Sequence, residues 1–110
     1  MTEYFHGAAN DPYREENIVL VDKHDDDRIW VITMNRPHRL NSIGGGLGSA
    51  LTDAWEAFRD DPDGRVAILT GAGRAFSAGA DLKQTAEIRQ KMAEGGPPPV
   101  PGCVRGGPWV

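Results

Sequence analysis

The tightest constraint on this chain is a switch of period. "RIWVITM" (28–34) is an apolar, β-branched run. From Ile43 the apolar residues fall three or four apart: Ile43, Leu47, Leu51, Ala54 and Phe58 share one narrow helical arc, with Ser49, Thr52, Glu56 and Arg59 facing away. "DDPDG" then breaks the helix, and "RVAILT" (65–70) returns to strand character. An earlier run, "NIVLVDK", is joined to "RIWVITM" through the acidic turn "HDDD", which predicts a hairpin. A second helix, weakly amphipathic, is expected from Asp81 to about Glu94. The order is strand, strand, helix, strand, helix, an α/β arrangement. Ile29, Trp30, Val31 and Ile32 are apolar without interruption, which predicts a strand buried on both faces. "RVAILT" is expected to be buried as well.

With 110 residues there is room for one domain. Such a domain buries only ~65% of the surface its unfolded chain exposes, so modest stability is expected. The N-terminal residues 1–16 are polar and mixed and are expected to form a flexible lead-in, followed by the structured part, 17–94. Residues 95–110, "GGPPPVPGCVRGGPWV", are glycine or proline at 10 positions and predict a tail, not a packed element. Each glycine of Gly44-Gly45-Gly46 inside a helix would cost about 1 kcal/mol relative to alanine, so the first helix is expected to start after them.

Composition removes several classes of function. The net charge of −4 gives no basis for nucleic acid or an anionic membrane as partner. No run approaches the roughly 18 apolar residues of a membrane helix, and the N-terminus lacks the pattern of a secretory signal. A cytoplasmic location follows as the expectation. Cys103 is alone, so no internal disulfide forms, and no spacing points to a metal. His6 and His24 read as surface residues, and Asp25 to Asp27 as a solvated turn without calcium-loop spacing.

The chemistry is concentrated in "AILTGAGRAFSAGADLKQ" (67–84), a strand, a small-residue loop and a helix start. Phosphate-binding motifs fail on required residues. Gly71 and Gly73 are followed by Phe76 where the dinucleotide fingerprint needs glycine, and no glycine–lysine pair exists for a P-loop. A different use fits. "SAGADL" places small side chains before a helix, with Asp81 suited to its first turn, so backbone N–H groups such as that of Ala80 are open to a ligand's carbonyl. Such a place suits an oxyanion, for example an enolate drawn from a thioester. A tight strand-to-helix turn with no ligand is the alternative.

"MNRPHRLNSI" and "FRDDPDGRVAILTGAGRAFSAGADLK", in this order and at this spacing, resemble the enoyl-CoA hydratase/isomerase (crotonase) family. That family shows N-R-P-x-x-x-N-[AS] after its second strand and G-x-G-[RK]-x-F-[CSA]-A-G-x-D-[LI] after its third. The likeness covers roughly residues 17–84. It implies a spiral of ββα units, of which about one and a half are present, and acyl-CoA or enoyl-CoA thioesters as ligands. No separate cofactor is implied, because coenzyme A is part of the substrate. It also implies that the Ala80 N–H is one of two oxyanion donors. His38, Arg39 and Leu40 would line the path of the coenzyme A adenine and phosphates. Ala78, Gly79, Asp81 and Leu82 would lie in the loop wrapping adenine and pantetheine, with Lys83 near the phosphates. His38 is thereby on the coenzyme side and not a catalytic base. Arg39 and Lys83 have ordinary solvated surface charge as their alternative.

The resemblance also says what to expect missing. "PPVPGCVRGGPWV" matches the start of the family's next strand, with Gly106 at its terminal glycine and Pro101 where an aliphatic residue is usual. The family's second donor and its two carboxylates would come later. The expectation is a truncated and inactive member, since one lost oxyanion donor costs about 10²–10³ in rate and lost acid–base groups about 10²–10⁴. A cut spiral would leave an apolar face open to association. Two rival readings stand beside it. One is a non-catalytic acyl-CoA-binding or interaction module pairing with a full-length relative. The other is an aggregating remnant whose "PPPVP" resembles a polyproline ligand.

Overall fold

A computed structural model describes residues 2–95. Four strands, β1 (Thr2–Phe5), β2 (Val19–His24), β3 (Ile29–Met34) and β4 (Val66–Gly71), form one sheet in the order β1-β2-β3-β4. The first three are antiparallel, and β4 pairs parallel with β3, Trp30 opposite Ala67 and Ile32 opposite Leu69. A parallel neighbour needs a crossover, which is the helix α1 (Leu47–Asp60). A second helix, α2 (Leu82–Ala93), follows β4. The hairpin expected at the acidic turn is present, with His24 opposite Ile29. Asp25, Asp26 and Asp27 all take positive φ there, a backbone state Asp tolerates better than most residues.

One face of the sheet makes the core. Val19, Val21, Trp30, Ile32 and Met34 are buried against Leu47, Ala50, Leu51 and Ala54 of α1, with Phe58 and Leu69 at the margin. Trp30 anchors it. Its ring meets Phe58 edge-on at 5.4 Å, Lys23 lies over it at 4.2 Å, and its indole N–H donates to the Asp27 carbonyl at 2.9 Å. Burying side chains of this size stabilises by about 1.5–3 kcal/mol each. The helix begins after the glycine run as expected. Gly46 takes φ 87° at its N-terminus, and a Cβ there would stand 2.4 Å from the Gly7 Cα.

Three expectations are corrected. The lead-in is structured: Thr2–Phe5 is a strand, and residues beyond it tie to the start of α1 through Glu15 N–H to the Gly45 carbonyl (2.8 Å) and Ala8 N–H to Ser49 Oγ (3.2 Å). Polar composition misled because β1 is an edge strand with its side chains largely in solvent. The strand β3 is buried on alternate residues only: Trp30, Ile32 and Met34 are enclosed, while Ile29, Val31 and Thr33 are half-covered. The same pleat leaves Val66 and Ile68 of β4 about half exposed, as is Tyr4 on the far edge strand β1. Residues 96–110 of the proline- and glycine-rich tail, with Cys103, lie outside the described residues.

Candidate active site: a loop pinned around one backbone N–H

The segment after β3 is a polar knot. Pro37 opens a single 3-10 turn, Pro37–Arg39, and the chain leaves it through Leu40 and Asn41, both left-handed (φ 51° and 54°). That conformation is natural for Asn and costly for Leu, by roughly 1–2 kcal/mol. Asn41 holds it. Its side chain is fully buried, accepts the Arg36 N–H at 2.8 Å, and donates to the carbonyls of Ala72 and Ala75, both at 2.9 Å. One side chain thus ties the turn after β3 to the loop after β4.

That loop is fixed along its length. Ala78 N–H donates to the Leu40 carbonyl at 2.9 Å, and Ser77 Oγ donates to the Asn41 carbonyl at 2.8 Å. Gly71 is required by crowding, since a Cβ there would lie 2.4 Å from the Phe76 carbonyl oxygen. Ile43 then forms a parallel bridge with Ala80: its N–H donates to the Gly79 carbonyl at 2.6 Å, and its carbonyl accepts the Asp81 N–H at 3.2 Å. In a trans peptide the carbonyl and the N–H point opposite ways. With the Gly79 carbonyl drawn toward Ile43, the N–H of the same peptide, that of Ala80, is turned outward. Ala78, Gly79 and Ala80 are all exposed. Among the described residues no acceptor is recorded for the Ala80 N–H.

Asp81 closes the arrangement. It is buried, caps α2 by accepting the Gln84 N–H at 3.0 Å, and pairs with Arg36 Nη1 at 2.7 Å. Burial would raise its pKa, but the Gln84 N–H, the Arg36 contact and charge, and the Arg39 charge outweigh it and hold the carboxyl below its ordinary range. Arg36 is 3% exposed and also meets Glu15 at 2.8 Å and both the carbonyl (3.1 Å) and hydroxyl (3.0 Å) of Ser42. This knot borders a polar depression of about 170 Å³ that Arg39, Lys83, Tyr13 and Glu87 also line.

The expected residues are thus only partly gathered. Arg39, Asp81 and Lys83 share the depression, and Leu40 is bound to Ala78. Leu82 projects into solvent, 78% exposed. His38 is exposed and turns to Glu15, Nε2 to Oε1 at 2.9 Å. Asp81 does not offer its carboxylate to a ligand, because both oxygens are engaged within the protein. Sequence reasoning missed Arg36, Asn41, Ser42 and Glu15 as the groups that hold the site. The arginine before Pro37 and the asparagine five residues on were its available signals. Glu15 had none, lying in a segment expected to be unstructured.

A family model described as enoyl-CoA hydratase/isomerase matches residues 24–96. The chain belongs to the enoyl-CoA hydratase/isomerase family. It is 40% identical over 70 residues to a probable enoyl-CoA hydratase of Mycobacterium bovis, covering 64% of this chain and 26% of that protein. It is 49% identical over 70 residues to a carnitinyl-CoA dehydratase of Salmonella arizonae, covering 63% and 26%. Its structure is similar to that of an enoyl-CoA hydratase of Mycobacterium marinum at a TM-score of 0.60 and 39% identity, covering 66% of this chain and 33% of that one. The chain spans about a quarter of the length of the curated relatives it matches. The fold is of the crotonase kind, as the resemblance implied. No helix among the described residues is long and apolar enough to cross a membrane.

Proposed function

We propose that this stretch holds the thioester end of an acyl-CoA or enoyl-CoA, with the Ala80 N–H as a donor to the thioester oxygen. The observation that carries this reading is the outward Ala80 N–H, fixed by the Ile43 bridge and without a recorded acceptor among the described residues. A preformed donor costs no reorganisation when negative charge develops on the oxygen, which is how such groups stabilise enolates. Family membership and the cations Arg39 and Lys83 beside the loop support coenzyme A as the carrier.

The reaction of the whole family unit would be hydration or isomerisation of a 2-enoyl-CoA. Proton transfer in that reaction needs a free carboxylate, and Asp81, next to the donor, is committed to Arg36 and to capping α2. In this reading the described residues bind thioester without turning it over, with Asp81 unavailable for proton transfer. The test is titration of the chain with crotonyl-CoA and an assay for hydration, beside Ala80→Pro, which removes the N–H. Binding without turnover that is weakened in the variant supports the reading. Turnover by this chain refutes the inactive part, and binding indifferent to Ala80→Pro refutes the donor.

A second reading, an interaction module, is favoured by the outer face of the sheet, where Tyr4, Val66 and Ile68 are each about half exposed. Ile68→Lys would abolish association with a family member if that face is used, and leave crotonyl-CoA affinity unchanged.

A further inference from the structure

We propose that Arg36 is a positioning residue that polarises the Ala80 N–H through two peptide units. The path is directional at every step. Arg36 Nη1 donates to the Ser42 carbonyl at 3.1 Å. The same peptide's other end, the Ile43 N–H, donates to the Gly79 carbonyl at 2.6 Å. That peptide's other end is the Ala80 N–H. A guanidinium, two planar amides and an outward N–H therefore stand head to tail, with each acceptor's own peptide acting as the next donor.

Hydrogen bonds in such a chain strengthen one another. Drawing density toward a carbonyl oxygen makes the N–H of that amide a better donor, by about 10–30% per bond in condensed phase. The donor at the head is a charged guanidinium, its Nη1 shared among the Ser42 carbonyl (3.1 Å), the Ser42 hydroxyl (3.0 Å) and Asp81 (2.7 Å). The Ile43–Gly79 link is a close contact at 2.6 Å. Arg36 is held for this. It is buried, its Nε is fixed by Glu15 at 2.8 Å, and Asp81 takes part of Nη1 at 2.7 Å. These carboxylates neutralise its charge at long range while fixing the direction in which its N–H groups point. Asp81 is also the residue after the donor, and its own N–H bonds to the Ile43 carbonyl, so both sides of Ala80 are tied to the same element.

The inference rests on Ala80 as the thioester-oxygen donor, and its test separates the two. The full chain is labelled with ¹⁵N and ¹³C. In the free protein, the scalar coupling across the Ile43–Gly79 hydrogen bond and the Ala80 amide proton shift are read. The enolate absorbance of bound acetoacetyl-CoA at fixed pH and the affinity for coenzyme A are then measured. Arg36→Met should shrink the coupling, move the Ala80 proton upfield and lower the enolate equilibrium about two- to sevenfold, less than the loss of a whole donor. Coenzyme A affinity should fall less than the enolate equilibrium, because Arg36 also borders the depression, and Arg36→Lys should restore part of the effect. A semisynthetic chain with the Ile43 amide replaced by an ester removes the middle link and leaves Arg36 in place, so it answers the question if Arg36→Met does not fold. Its enolate equilibrium should fall likewise. A folded Arg36→Met with Ile43 and Ala80 signals unmoved, or an ester chain with the wild-type enolate equilibrium, overturns the proposal. If the free-protein signals respond but no form binds acetoacetyl-CoA, the relay stands and the thioester reading falls.

Discussion

Two parts of this molecule are held together in opposite ways. Under α1, Trp30, Ile32, Met34, Leu47 and Leu51 form a core in which volume and burial matter and no single polar contact decides the outcome. The space between the sheet and α1 is filled by apolar side chains of suitable volume. Around Asn41, the chain is instead held by individual hydrogen bonds: three from one side chain, four from Arg36, and a backbone bridge of two. The first region sets the stability of the fold. The second, at the C-terminal ends of β3 and β4, sets the direction of one N–H. A core tolerates approximate replacement, whereas a polar knot leaves a buried group unpaired whenever a member is lost.

Substitutions in each region should therefore fail differently. The largest loss is expected for Trp30→Ala, about 3–5 kcal/mol in denaturant unfolding, because a fully buried indole leaves a cavity. Asn41→Ala should cost about 3 kcal/mol, since it strands the Arg36 N–H and the carbonyls of Ala72 and Ala75. Unlike Trp30→Ala, it should also weaken crotonyl-CoA binding in the molecules that remain folded. A knot variant that lost stability and left binding untouched would break the contrast.

Asp81→Asn should cost less, about 2 kcal/mol at neutral pH, because asparagine keeps the cap while the charged contact to Arg36 is lost. Its pH dependence sharpens the comparison. The folded pKa of Asp81 is depressed, so its contribution is full above the ordinary carboxylate range and disappears as pH falls through the depressed value. Stability curves of the wild type and Asp81→Asn should converge in acid, and curves that stay parallel would show that Asp81 is not the titrating group. The smallest effect on the fold is expected from Arg39→Ala combined with Lys83→Ala, both exposed. Melting temperature should not move, while coenzyme A affinity falls and loses part of its salt dependence.

The same contrast explains what could be read in advance. The core was legible because a helical arc from Leu47 to Phe58 and two β-branched runs announce themselves by period. The place of the candidate site was suggested by small residues between a strand and a helix, and Ala80 as its proposed donor by its position ahead of Asp81. What holds the site was not. Asn41 acts across 31 and 34 residues of sequence and Arg36 across 45, and no local pattern encodes such contacts. Glu15 and β1 were hidden by polar composition, since an edge strand and a folded loop need few apolar residues. The half-exposure of Val66 and Ile68 was equally out of reach, because a run of apolar residues does not say what covers its second face.

The measurement that bears most directly on the site is the amide spectrum of the labelled chain during titration with crotonyl-CoA. A donor to the thioester oxygen should show a saturable downfield shift of the Ala80 amide proton larger than that of any neighbour. The Ile43 proton should follow in the same direction as its bond to Gly79 tightens. Binding that leaves the Ala80 proton where it was, while residues around Arg39 and Lys83 respond, would place coenzyme A on this surface and take the thioester away from Ala80.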